Sequence, residues 1–71
     1  MDAFVKLKGI DMPIQVPDIT CIKSHEGTQS SETTDFRDMR FNGVAYYSFI
    51  GSSILHVYGK NIEYIYFQID Q

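Results

Sequence analysis

The chain has no tryptophan, one cysteine and two prolines. A single thiol, Cys21, excludes an intramolecular disulfide, and with it the stapled scaffold of most small secreted domains. The expectation is an intracellular, cytoplasmic protein. Basic residues are scarce: six Lys and Arg stand against nine Asp and Glu, giving a net charge of −3 and a pI near 5.0. Tight non-specific DNA binding needs many phosphates neutralised, and anionic membranes need a basic face, so both are disfavoured. Long apolar runs are missing too. No stretch approaches the roughly 18 residues of a membrane span. The start, Met1-Asp2-Ala3-Phe4, lacks the basic opening and apolar run of a signal peptide.

With 71 residues there is room for one domain. Surface scaling leaves roughly 4,500 Å² exposed and buries about 60% of the unfolded chain's surface, which makes a marginal core. Small chains in this position are often completed by oligomerisation or by a partner. Hydrophobic residues make up 44% and charged residues 21%, a globular composition.

Residues 3–8 alternate, with Ala3, Val5 and Leu7 on one face and Phe4, Lys6 and Lys8 on the other. A period of two predicts a half-buried strand. Pro13 to Val16 reads as a second, edge strand and Ile19 to Ser24 as a third. Residues 24–35 hold no aliphatic or aromatic side chain, so a polar loop is expected there. Asn42-Gly43 lies between Phe36–Phe41 and Val44–Ile50 and predicts a tight hairpin. A short helix over 31–40, with Phe36 and Met39 inward, competes with that reading. Ile54–Tyr58 and Ile62–Ile69, joined by Gly59-Lys60-Asn61, predict a second hairpin with His56 near Glu63 or Tyr64. The fold expected is all-β, with one short helix at most: a single domain over residues 1–71, built as a small antiparallel sheet or an SH3/Sm-like barrel of about six short strands.

The segment Val5-Lys-Leu-Lys-Gly-Ile-Asp-Met-Pro-Ile-Gln-Val-Pro-Asp-Ile-Thr-Cys-Ile-Lys-Ser24 resembles the opening of LytTR DNA-binding domains, which run strand, turn, strand, then an Asp-Ile-x-x-Ile step. Small flagellar FlbD-type proteins open similarly, and Asn42-Gly43 before a strand fits them as well. The resemblance covers about a third of the chain and implies a small β-module with a regulatory, DNA-binding role. The Arg/His-rich C-terminal stretch by which LytTR domains reach DNA is missing here.

Motifs for chemistry are sparse. Cys21, His25 and His56 do not make the three or four converging ligands of a zinc site, and no metal is expected. Acid–base catalysis would need His25, Glu26, His56 and Glu63 to converge on one substrate. Gly51-Ser52-Ser53 is not a nucleophile elbow, and Gly59-Lys60 lacks the upstream glycine of a phosphate loop. Neither catalysis nor a cofactor is expected.

Rings are abundant by contrast. There are five Tyr and five Phe, seven of them between Tyr46 and Phe67. So small an interior cannot hide all ten, and tyrosine suits interfaces. The sequence therefore points to a non-catalytic interaction module, a homodimer or a partner-docking protein. Its contact face is expected at Phe36, Tyr47, Phe49, Tyr64 and Tyr66, with residues 24–35 as a second surface. Such a protein suits a phage or mobile-element inhibitor of a host protein. One alternative is a small nucleic-acid-binding barrel. Another is a nucleotide or small-ligand binder, with Tyr rings and Arg40 enclosing a ring system at a dimer seam.

Overall fold

In the computed structural model, which describes residues 1–69, the N-terminal alternation forms β1 (Asp2–Leu7). It pairs antiparallel with β2 (Ile14–Val16) on one side and β7 (Ile62–Gln68) on the other. A second sheet runs β4–β3–β5–β6, from β3 (Cys21–Glu26), β4 (Gln29–Thr33), β5 (Tyr46–Ile50) and β6 (Ile54–Tyr58). The fold is thus nearly all-β, as expected, but divided between two small sheets and not closed into a barrel. Among the described residues the one helical piece is a 3-10 turn at Gly59–Asn61.

One core lies between the sheets. Ala3, Val5 and Val16 from the first sheet meet Ile22, Tyr47, Phe49 and Val57 from the second. Phe49, Ile22, Val5 and Val16 are its largest fully enclosed side chains. The accessible surface, 4926 Å², is a little above the scaling value, in keeping with an unclosed pair of sheets.

The predicted connectivity needs three corrections. Residues 24–35 are not a loop: most of them fold into the β3–β4 hairpin. A two-residue turn at Gly27-Thr28, with Gly27 at φ 61°, joins the strands, and the Ser24 and Ser31 hydroxyls bond across them at 2.7 Å. Backbone ladder and serine pairing replace the missing apolar contacts.

Asn42-Gly43 is not a hairpin turn. The Asn42 Oδ1 accepts the N–H groups of Val44 and Ala45, both at 3.0 Å, and Gly43 does not take a positive φ. Residues 34–45 form a connecting loop, neither strand nor the competing helix, and β5 pairs with β3 and β6 instead.

Ile54–Tyr58 and Ile62–Gln68 do not pair with each other. The turn at Gly59–Asn61 carries the chain from one sheet to the other, so β6 bonds β5 and β7 bonds β1. A bulge opposite Lys6/Leu7 leaves Glu63 as the extra residue. Ile62 therefore points inward with Ile65, not outward with Tyr64.

Candidate protein-binding surface

Each sheet turns one face to the core and one outward. On the three-stranded sheet, inward Ala3 and Val5 oppose Phe67 and Ile65, so outward Phe4 and Lys6 oppose Tyr66 and Tyr64. The Phe4 and Tyr66 rings lie tilted, with centroids 5.6 Å apart. Tyr64 and Tyr66 are 47% and 54% exposed. The Lys6 ammonium donates to Glu63 at 2.8 Å and to the Leu7 carbonyl at 3.0 Å, which fixes a charge beside the rings. These rings sit on an edge strand: among the described residues β7 ends the sheet, with no strand paired on its outer side.

Along that edge runs an open, mainly apolar cleft of about 660 Å³, lined by Ile19, Phe36, Ile65, Tyr66, Phe67 and Ile69 among others. Phe36 reaches it from the loop over residues 34–45 and stacks on Phe67 at 4.9 Å, nearly parallel. At the rim, Arg37 donates to both carboxylate oxygens of Asp35, at 3.0 and 2.8 Å. Those side-chain bonds, with the Arg37 backbone N–H, pull the Asp35 carboxyl down to about 2. Its small stabilisation is present above the ordinary carboxyl range and is lost as pH falls toward 2. Both partners are in water, so the pair orders the rim more than it stabilises the fold. A smaller polar cleft of about 280 Å³ lies between the β3–β4 hairpin and the loop, and includes Ser24, Glu26, Thr33, Arg40 and Asn42.

Of the five predicted contact residues, the structure brings Phe36, Tyr64 and Tyr66 to this surface. It removes the other two. Phe49 is fully buried and Tyr47 is 4% exposed, because β5 is the inner strand shared by β3 and β6 and these two residues face inward. Tyr47 keeps its hydroxyl satisfied by accepting the Asn42 backbone N–H at 2.8 Å. Sequence reasoning overlooked Phe4. The alternation of β1 put it opposite the apolar face, but only the register with β7 sets it against Tyr66.

The histidines sit on the outer face of the four-stranded sheet. His56 lies beside Ser48, not Glu63, with Nδ1 2.7 Å from the serine Oγ, and its ring stacks 5.9 Å from that of Tyr46. The bond satisfies the buried Ser48 hydroxyl. His25 and His56 share the face with β5 between them, on the order of 10 Å apart by strand spacing. Among the described residues no three His, Cys, Asp or Glu side chains are grouped to hold a metal ion, and no helix is long and apolar enough to cross a membrane. No known family, curated protein or solved structure matches the chain.

Proposed function

We propose that the protein is a non-catalytic interaction module that docks a protein partner on the outer face and free edge of β7. The observation that carries this reading is the pair of half-exposed rings, Tyr64 and Tyr66, placed beside Phe4 on an edge strand. Rings of this size present 150–250 Å² each, so covering the exposed halves buries roughly 200 Å², or about 5 kcal/mol gross before the costs of association. Tyrosine is also among the residues that dominate interface energetics. The apolar cleft lets Phe36 and Phe67 extend the contact around the edge. Self-association through the same face, cytoplasmic residence and inhibition of a host protein belong to this proposal; small size, acidic charge and surplus rings support them.

The test compares wild type with the double variant Tyr64→Ser, Tyr66→Ser. Both side chains are exposed, so the variant is expected to melt within a few degrees of wild type. Wild-type bait should retain a partner from native lysate, or a second copy in sedimentation, and the variant should lose at least about tenfold in affinity, the scale of one hot-spot residue. Equal retention by both baits ends the reading.

A further inference from the structure

We propose that the outer face of the four-stranded sheet is a second binding surface, one that takes single-stranded nucleic acid. The cross-strand registers build it. One row reads Glu32, Lys23, Ser48, His56; the next reads Ser30, His25, Tyr46, Tyr58. Tyr46 contacts two rings, Tyr58 edge-on at 4.8 Å and His56 in a stack. Tyr58 is 56% exposed, and Lys60 reaches over its ring, with the ammonium 5.9 Å from the centroid.

Charge complementarity selects the occupant. The chain is acidic overall, but its charges are segregated. Among the described residues, Glu32, the cross-strand neighbour of Lys23, is the one acidic side chain on this face, against Lys23, Lys60 and the imidazoles of His25 and His56. Glu26 turns to the opposite side, where it accepts from Asn42 at 3.3 Å. Asp35 and Asp38 lie on the loop, and Asp2 and Glu63 belong to the other sheet. Exposed charges more than a Debye length away, about 8 Å at physiological salt, are largely screened, so the local balance governs.

An exposed ring flanked by cations, as Tyr58 is by Lys60, is what a flexible strand of bases and phosphates requires. Duplex offers its bases only as groove edges, and this four-stranded face carries no helix to insert into a groove. A protein partner would gain nothing from two lysines placed around rings unless it were itself acidic, and that outcome is separated below.

The probes are fluorescent oligothymidylate, oligouridylate and a duplex of equal length, titrated against wild type, the double variant Tyr58→Ser, Lys23→Gln, and the other-face double variant Tyr64→Ser, Tyr66→Ser. Two phosphate contacts give a single-strand salt slope of about −1.4, so affinity should fall roughly sevenfold between about 50 and about 200 mM salt. Losing one stacking platform and one phosphate contact should weaken binding by at least about tenfold. The Tyr64→Ser, Tyr66→Ser variant should bind as wild type does. Tyr58 and Lys23 are both exposed, so a matching melting temperature certifies the fold of the first variant. The proposal is overturned by no single-strand binding at about 50 mM salt, by equal affinity for duplex, or by binding that Tyr58→Ser, Lys23→Gln leaves intact. It is also overturned if an acidic polypeptide, poly-glutamate, competes as well as the oligonucleotide. Loss of partner capture in the Tyr64→Ser, Tyr66→Ser variant concerns the other face and leaves this result untouched.

Discussion

At Gly59 a β-carbon would overlap the carbonyl oxygen of Asn42 and press on the Tyr47 ring. The Gly59 N–H donates to the Ala45 carbonyl at 2.8 Å, so loop and turn meet backbone to backbone. Gly59→Ala should therefore cost about 1–3 kcal/mol, the range for overpacking a filled interior, read as a lowered urea midpoint with unchanged slope. Gly43 makes the informative contrast. Its nearest neighbours stand at ordinary contact distance, and its φ is not positive. Gly43→Ala should then be neutral or stabilising by up to about 1 kcal/mol. A hairpin turn at Asn42-Gly43 would demand the opposite, so the same urea curves test whether Asn42 caps the loop. Nothing local in the sequence marks this choice. The Asn42 side chain bonds two residues ahead in the loop, and Asn-Gly is equally suited to either use.

Among the elements, those with period-two alternation were legible and those held by other means were not. β1 was read correctly because Ala3, Val5 and Leu7 are its inward side chains and nothing interrupts them before the end of the strand. The β3–β4 hairpin was missed because Ser24, Ser31 and Thr33 carry no apolar signal; its stability comes from the backbone ladder and a hydroxyl pair. The outward face of β7 is half legible: simple alternation puts Ile62, Tyr64 and Tyr66 on one side, and the bulge at Glu63 moves Ile62 to the other. Tyr47 and Phe49 were misplaced for a different reason. Which face of β5 is inward depends on its neighbours, which are β3 and β6 and not the segment Phe36–Phe41.

Phe36 anchors the loop over residues 34–45. This segment has few internal backbone bonds, among them Met39 N–H to the Phe36 carbonyl at 3.4 Å, and Phe36 ties it to β7 through Phe67. Phe36→Ala should loosen the loop more than the fold. Limited proteolysis should cut after Arg37 or Arg40 several-fold faster, with a global loss of about 1–3 kcal/mol for a half-buried ring.

On the scale of the whole molecule, the two sheets share one set of core side chains and should not unfold separately. Val5 and Val16 stand on one sheet and Ile22 and Phe49 on the other, and each sheet is too small to bury its own inner face. Native-state hydrogen exchange should converge on one opening free energy, about 4–10 kcal/mol for a chain of this length, at the amides of both β1 and β5. Two distinct plateaus would mean that the sheets open independently. Surplus rings were legible in the composition. Their division between two outer faces was not, because it depends on which strands become neighbours.

The pairing of β1 with β7 sets Ala3 opposite Phe67 and Val5 opposite Ile65, partners that are about sixty residues apart in the chain. During synthesis β1 is made before its partner β7 exists, and its inward side chains remain wet until β7 emerges. Assembly of the interior is thereby deferred until β7 has been made. The closing step joins strands about sixty residues apart, a separation that slows folding in small domains.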